Sequence, residues 1–265
     1  MIHGNYHSHT YRCKHATGDV ADYVEEALKT DLKEIGISDH TPLPDGRWSG
    51  IRMAMDELNE YITAIEEAQQ RYPEISVLKG MECEYMKSYE NFYKDELLCQ
   101  HNFDYLIGSV HFIPKNEEWY PIHGLDSKDL TLYAQYMIES MESGLFAFIA
   151  HPDLFCLQTP TWNEDSVACS KDIFSAAASL GIPLEINGSG LRKPKIETSA
   201  GELSPYPYRP FWEIATDYPI KVICNSDAHD PEFINSNRSD AYDLAIDFGF
   251  DFMDVKLLKQ QAYRK

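Results

Sequence analysis

Six segments of the chain end in side chains that commonly bind metal ions, and each segment follows or contains a short apolar run. Seven of the ten histidines lie within these segments or next to them. The segments are Asn5-Tyr6-His7-Ser8-His9, Ser38-Asp39-His40, Gly80-Met81-Glu82, Ser109-Val110-His111, Ala150-His151-Pro152 and Ser226-Asp227-Ala228-His229. Imidazole and carboxylate groups repeated in this way predict one metal site with several ions, assembled from the whole chain.

The spacing inside the segments supports this prediction. Side chains two residues apart on a strand face the same side, so His7 and His9 point in one direction, and Asp227 and His229 repeat the arrangement. Glu82 follows an apolar run, where a buried carboxylate is costly unless a cation accepts it. We therefore expect Glu82 to bridge two ions. Any one of these histidines could be a hydrogen-bonded core residue, but a whole set at equivalent strand ends favours a metal site.

The predicted ligands are seven imidazoles and two carboxylates, and the set is rich in nitrogen. Its members are His7, His9, His15, His40, Glu82, His111, His151, Asp227 and His229. Such a set favours two or three zinc, iron or manganese ions over calcium or magnesium, which prefer oxygen ligands. The two carboxylates cannot balance that many divalent charges, so we expect an electropositive pocket that binds phosphate.

Apolar runs that alternate with amphipathic stretches indicate the elements that position these ligands. Parallel strands buried on both faces are predicted at 4–7, 34–38, 76–81, 105–110, 145–150, 183–187 and 220–225. Each ligand group lies at the C-terminal end of its strand, which is the active face of a TIM barrel. An open doubly wound sheet would instead gather ligands near one switch point. The pattern therefore predicts an α/β, TIM-like barrel that forms a single domain over residues 1–265.

Helices are predicted between these strands. Asp19 is expected to cap the first helix, and further amphipathic stretches predict helices at about 55–72, 130–143, 165–180 and 255–263. Pro73, Gly144 and Gly181 are expected to end the second, third and fourth of them.

Composition limits the classes of partner. The chain has 265 residues with 43 acidic and 23 basic side chains, and its net charge of −20 argues against polymeric nucleic acid as a partner. A small phosphorylated substrate is compatible with this charge, because a metal cluster makes the local potential positive. The six cysteines form no C-x-x-C pair and indicate reduced thiols in the cytoplasm. No membrane span or secretion signal is visible, and oligomeric state is not predicted.

The chain closely resembles the PHP (polymerase and histidinol phosphatase) superfamily in the histidine motifs above, with Glu82 and His151-Pro152-Asp153 between them. The resemblance implies a distorted (β/α)7 barrel with two or three ions at the C-terminal strand ends. It also implies three ligand sets. These are His7, His9, Glu82 and Asp227 for one ion, Glu82, His111 and His151 for a second, and His15, His40 and His229 for a third.

Within the superfamily, the chain looks like the histidinol-phosphate phosphatase branch. The similar segments are His40-Thr41-Pro42, Arg52-Met53 and residues 185–192. The resemblance implies hydrolysis of L-histidinol phosphate to L-histidinol and phosphate, a step of histidine biosynthesis. The expected mechanism is in-line attack by a hydroxide held between ions that also bind the phosphoryl oxygens.

Several residues outside the ligand set are candidates for contact with the substrate. Arg192 follows a Gly-Ser-Gly loop and is expected to clamp phosphate with two hydrogen bonds, and Arg209 is a second candidate. Asp227 and His229 are candidates for assistance to the leaving alkoxide. Asp153 is expected either to orient the preceding metal ligand or to cap the next turn.

Three other functions remain open from the sequence. The first is a PHP-type phosphodiesterase, exonuclease or nucleotide phosphatase. The second is a metal-dependent amidohydrolase, which typically uses a metal-bridging lysine that no predicted strand end supplies. The third is a non-catalytic metal-binding regulatory domain.

Overall fold

Parallel strands form the centre of the structure, a computed structural model that describes residues 4–115, 118–157, 162–198 and 201–258. The strands, numbered along the chain, are β1 (Gly4–Asn5), β2 (Glu34–Ile37), β3 (Ser76–Glu84), β4 (Tyr105–Ser109), β5 (Phe112–Lys115), β6 (Glu118–Pro121), β7 (Phe148–Ile149), β8 (Leu184–Asn187), β9 (Ile196–Thr198), β10 (Gly201–Leu203), β11 (Lys221–Asn225) and β12 (Asp251–Phe252). Eight of them form one sheet in the order β1-β2-β3-β4-β7-β8-β11-β12, while β5–β6 and β9–β10 form separate hairpins. Every pair of neighbours in the large sheet is parallel.

Six α-helices connect these strands. They are α1 (Val20–Ala27), α2 (Leu58–Arg71), α3 (Leu130–Glu142), α4 (Glu164–Leu180), α5 (Arg209–Ala215) and α6 (Arg238–Phe248), and a π-helix spans Phe92–Gln100 between β3 and β4. Asp19 caps α1, as predicted, and its side chain accepts a hydrogen bond from the Val20 amide. Gly181 ends α4 in the left-handed conformation that favours glycine. No described helix is both long enough and apolar enough to cross a membrane.

The sheet curls until its first strand meets the segment that follows β11. Ser8 forms a parallel bridge with Ala228, and the His9 amide donates to the Ala228 carbonyl at 2.8 Å. This contact places the ends of the first and seventh barrel strands side by side, with β12 added on the outer side of β11. The predicted α/β, TIM-like barrel with seven β-then-α units is therefore confirmed.

Two asparagine side chains hold the first and seventh strands together below that contact. The Tyr6 amide donates to Asn225 Oδ1 at 2.8 Å, and the Ser226 amide donates to Asn5 Oδ1 at 2.7 Å. Each asparagine thus accepts the backbone hydrogen bond that a regular ladder would give to a carbonyl. The barrel is distorted at this junction because side chains replace the ladder.

The interior of the barrel is filled below the strand ends. Tyr105 lies across the interior, and its hydroxyl donates to the Tyr6 carbonyl at 2.6 Å. Gly36 and Gly80 leave room for this ring, since a Cβ on either would overlap it. The filled interior confines any large cavity to the C-terminal face.

The structure differs from the sequence predictions at the end of β3 and in the predicted C-terminal helix. The apolar run predicted that the third strand ends at Met81, but β3 continues to Glu84, so Glu82 lies inside the strand. Histidines that follow the neighbouring strands contact the carboxylates of both glutamates, His40 that of Glu82 and His111 that of Glu84. In the predicted final helix, residues 255–258 form a single 3₁₀ turn, and residues 259–263 lie outside the described part of the chain.

Candidate metal centre

The predicted ligands meet at the C-terminal ends of the barrel strands. Eight of the nine line one cavity of about 710 Å³. The ninth, His7, is fully buried behind them. Strand ends of β1, β2, β4, β7 and β11 carry all of the ligands except Glu82, which lies within β3, and His15, which lies in the loop after β1.

Glu82 is the centre of the cluster, because nitrogens of five histidines surround its two oxygens. Oε2 lies 2.9 Å from His40 Nδ1 and 3.4 Å from Nε2 of His7 and of His9. Oε1 lies 3.0 Å from His151 Nε2 and 3.8 Å from His111 Nε2. Burial alone would raise the pKa of this carboxyl, but the histidines hold it well below its ordinary value. Glu82 is therefore an ionised carboxylate shared among ligands from four other strands.

Asp227 is the second carboxylate of the cluster. Its Oδ1 lies 3.3 Å from His9 Nε2, 3.4 Å from His229 Nδ1 and 3.7 Å from His7 Nε2. The backbone of Asp227 has a φ of +47° and that of His151 a φ of +29°, a region that non-glycine residues rarely adopt. Strain of this kind concentrates at functional sites, where it aims side chains that a regular strand would turn away.

Buried atoms without hydrogen-bond partners show that this donor set fits metal ions. His7 Nε2, His9 Nε2 and Asp227 Oδ1 are all buried and have no hydrogen-bond partner. Buried polar atoms are nearly always partnered, so such a group in one place requires an explanation. Ligand atoms of His7, His9 and Glu82 lie within 4.8 Å of one another, and so do those of His7, His151 and Asp227. Divalent cations bound at these positions would satisfy all of these atoms at once.

Two carboxylates that the sequence analysis missed lie behind the histidine ligands. His7 Nδ1 lies 2.9 Å from Glu185 Oε1, and His111 Nδ1 lies 2.5 Å from Glu84 Oε1. Such a partner fixes which ring nitrogen faces an ion and makes the ligand more basic. Burial alone would lower the pKa of both histidines, but the carboxylates raise it above its ordinary value. The available signal was a glutamate inside each of two otherwise apolar strands.

The remaining ligands, His15, His40 and His229, lie on the outer side of the cluster. The Cys13 carbonyl accepts a hydrogen bond from His15 Nδ1 at 2.7 Å, and the Asp227 carbonyl accepts one from His229 Nδ1 at 3.3 Å. The His15 ring centroid lies 4.9 Å from that of His229 and 5.4 Å from that of His40. Burial and the neighbouring His9 lower the pKa of both His15 and His229, the latter to about 3. The three predicted outer ligands are thus brought together as neutral imidazoles.

The two predicted arginines have different surroundings. Arg192 lines the cavity, and its guanidinium donates to the carbonyls of Ser226, Asp227 and Ser236 at 2.9, 3.1 and 3.3 Å. Arg209 begins α5 on the surface, where its Nε lies 3.0 Å from Glu213 Oε1. It is not among the residues that line the cavity.

Apolar and polar residues line the cavity beside the ligands. The apolar ones include Ile51, Phe112, Pro121, Leu154, Leu157 and Phe233, and the polar ones include Ser189, Arg192, Lys193 and Asp230. Trp48 stacks on the Phe112 ring at 4.0 Å and so joins the loop 42–52 to the β5–β6 hairpin. His123, which follows that hairpin and which no motif singled out, also lines the cavity.

Asp153 neither contacts the His151 ring through a hydrogen bond nor uses its carboxylate to cap the following turn. Its Oδ2 accepts from the Tyr208 amide at 2.6 Å and from Trp212 Nε1 at 3.0 Å. Burial raises the pKa of this carboxyl to about 6. Asp153 therefore joins the end of β7 to the start of α5.

Comparison with protein families decides the classification. The family model described as the PHP domain matches residues 5–189. The chain belongs to the PHP domain family. A probable histidinol-phosphatase of Deinococcus radiodurans is 31% identical in an alignment of 255 positions that covers 92% of this chain and 92% of that protein. A probable histidinol-phosphatase of Schizosaccharomyces pombe is 26% identical in an alignment of 257 positions that covers 87% of this chain and 82% of that protein.

Solved structures of similar proteins agree with this classification at the level of the fold. A histidinol phosphate phosphatase of Lactococcus lactis, solved with zinc, L-histidinol and phosphate, superposes on this PHP-domain chain with a TM-score of 0.69. The match covers 94% of this chain and 95% of the other at 18% identity. The resemblance to the PHP superfamily inferred from the histidine motifs is therefore confirmed.

Proposed function

We propose that this protein is a metal-dependent phosphomonoesterase that hydrolyses L-histidinol phosphate to L-histidinol and phosphate. The observation that carries the proposal is the cluster around Glu82, whose buried and unpartnered ligand atoms lie beside the 710 Å³ cavity. Relatives that are 31% and 26% identical over most of the chain carry the name histidinol-phosphatase.

Three ligand sets are assigned to the ions. His7, His9, Glu82 and Asp227 form one set, Glu82, His111 and His151 a second, and His15, His40 and His229 a third. When bound, two or three zinc, iron or manganese ions supply Lewis acidity for the phosphoryl group and lower the pKa of water.

Arg192 is assigned to the phosphate. A guanidinium has five N–H groups, and backbone carbonyls accept three of those of Arg192, so two remain for a substrate anion. Its attachment to the Asp227 carbonyl holds it at a fixed position relative to that ligand. Asp227 and His229 lie side by side on the cavity wall, and we assign to this pair the assistance to the leaving alkoxide.

The organic half of the substrate fits the remaining cavity surface. Phe112, Leu154 and Leu157 line the cavity and provide apolar contact for a flat imidazole ring. Asp230, which also lines the cavity, provides a carboxylate for the amino group of histidinol. Its side chain also accepts from Thr17 Oγ1 at 2.7 Å, which fixes its position.

The net charge of −20 supports a small substrate rather than polymeric nucleic acid. All six cysteines are free, and five of them are buried, which supports a reducing compartment such as the cytoplasm. These two features complete the proposal of a cytoplasmic biosynthetic enzyme.

Substrate preference tests the proposal. Metal-replete protein is assayed with L-histidinol phosphate, p-nitrophenyl phosphate and a nucleoside 3′,5′-bisphosphate, and kcat/KM is compared. We expect histidinol phosphate to be preferred by about a hundredfold, since contacts to a ring and an amine discriminate on this scale. Equal turnover with p-nitrophenyl phosphate would contradict the substrate assignment, and preference for the nucleotide would favour the phosphodiesterase or nucleotide phosphatase alternative.

A further inference from the structure

Glu185 is a fully buried carboxylate in β8 that accepts four hydrogen bonds. Its Oε1 accepts from His7 Nδ1 at 2.9 Å and from Asn225 Nδ2 at 2.9 Å. Its Oε2 accepts from the His151 amide at 3.1 Å and from Asn187 Nδ2 at 2.7 Å. All four lone-pair positions of the carboxylate are therefore used.

The partners of Glu185 do not balance its charge when the histidines act as ligands. Two of them are asparagine amides, one is a backbone amide, and His7 is neutral when its other nitrogen binds an ion. A buried carboxylate without a counter-charge is strongly unfavourable. Cations held by His7 and by His151 are the charges nearest to it that would stabilise it.

The contacts of Glu185 reach the buried ligands only. It contacts His7 and the backbone of His151 directly. Its contact with Asp227 is indirect, because Asn187 Nδ2 donates to Glu185 and also to Asp227 Oδ2 at 3.1 Å. None of its hydrogen bonds goes to the outer ligands His15, His40 and His229.

We propose that Glu185 is a positioning residue of the metal centre, which with one carboxylate fixes the ring of His7 and the turn that carries His151. It thereby couples the two ions assigned to these ligands, while the ion assigned to His15, His40 and His229 is independent of it. The inference rests on the proposed metal centre but not on the identity of the substrate.

The isosteric variant Glu185→Gln isolates this role. Glutamine keeps the shape, but in either orientation its NH₂ group faces two of the four donors, and the negative charge is lost. Either the ring of His7 or the turn at His151 then loses its partner, and the loss of the negative charge that both of them contact weakens both ion sites. A residue that acted only on one ligand would affect one ion.

The effect is measured by titrating the metal-free full chain with cobalt(II), with calorimetry and visible absorption as the two readouts. In Glu185→Gln we expect two of the ions to bind about 10- to 100-fold more weakly, the range for loss of a carboxylate behind a histidine ligand. The third ion should keep its affinity. Glu84→Gln is the matched control, because Glu84 contacts only His111 among the ligands and should weaken one ion. His15→Gln identifies the outer ion in the titration.

Three outcomes would overturn the inference. These are unchanged affinities, equal weakening of all three ions, and weakening of a single ion as in Glu84→Gln. Thermal unfolding in excess chelator establishes that each variant is folded. If Glu185→Gln does not fold, Glu185→Asp takes its place, and its shorter carboxylate should weaken the same two ions while the third is unchanged. Ion binding is measured without substrate, so absence of histidinol phosphate turnover would leave this result unaffected.

Discussion

The inner and outer halves of the ligand cluster are built differently. The inner half, His7, His9, His111 and His151, surrounds the two ligand carboxylates, and two of its rings have a further carboxylate behind them. The outer half, His15, His40 and His229, includes two rings that donate to main-chain carbonyls. Carboxylates raise the pKa of His7 and His111, whereas burial and neighbouring histidines lower the pKa of the outer rings. Negative charge is therefore concentrated in the inner half.

This difference predicts ions of unequal affinity. Cations bind more tightly where buried carboxylates surround them, because Coulomb attraction is strong in a medium of low dielectric constant. The outer half contacts the two ligand carboxylates only through His40 and His229, and its third ring, His15, is exposed. We therefore expect the outer ion to exchange most readily and to gain affinity from the phosphate of the substrate.

The largest effect is expected from Glu82→Gln, because Glu82 contacts both halves and lies beside five of the seven histidine ligands. Loss of its charge should weaken every ion and lower kcat/KM on the order of a thousandfold, a loss of several kcal/mol of transition-state stabilisation. Metal analysis after gel filtration and steady-state assays measure both. Glu118→Gln, at an exposed position of the β5–β6 hairpin, is the control. A variant that kept all of its ions would show that Glu82 is not the shared ligand.

His15→Gln separates the halves most directly. Removal of one imidazole from the outer set should weaken the outer ion by about a hundredfold and leave the others in place, since a lost ligand or its partner costs affinity on this scale. Metal content per chain should fall by one ion at limiting metal concentration. Loss of every ion in this variant would contradict the division into two halves.

The sequence predicted the metal ligands but not the carboxylates that lie behind them. Most ligands could be predicted because they follow apolar strands, and parallel strands bring their C-terminal ends to one face. The role of Glu185 could not be predicted, because it depends on contact with His7, which is 178 positions away. Glu84 was missed for a related reason. The apolar run ends at Met81, whereas the strand continues through Glu82 and Glu84.

The cavity wall was less predictable than the ligands. The β5–β6 hairpin has strands of four residues each, too short for a periodic signal. Trp48 could be assigned to this wall only after its stacking on Phe112 was observed. Loop positions of this kind depend on tertiary contacts, which local sequence patterns do not record.

Arg192→Ala tests the boundary between the ligand cluster and the substrate. Loss of a charged hydrogen-bond donor to phosphate should raise KM by about 10- to 100-fold, from 1.5–3 kcal/mol for such a bond. Arg209→Ala is the matched control, since that side chain is exposed and pairs with Glu213, and it should change KM less than about twofold. A larger increase in KM for Arg209→Ala than for Arg192→Ala would show that the phosphate binds near α5 instead.

Phosphate should protect the outer ion, and this is the smallest effect that we expect. At a phosphate concentration tenfold above its dissociation constant, the apparent affinity of a coupled ion rises by about tenfold. The loss of metal to a chelator, followed over time with and without phosphate, measures the difference. If phosphate slowed the loss of every ion to the chelator by the same factor, bound phosphate would not distinguish the two halves.

The junction of Asn5 and Asn225 has a consequence for the order of events during synthesis. The paired residues are 219 and 221 positions apart, so the first ligand motif leaves the ribosome long before its partner motif exists. At roughly 5–20 residues per second, His7 and His9 wait about 10–45 s for Asp227 and His229. Until then, the nascent chain carries this two-histidine motif without the carboxylate of Asp227. A chain that stops before the seventh barrel strand therefore cannot complete the first ion site, whereas the three residues of the second set, Glu82, His111 and His151, are already present.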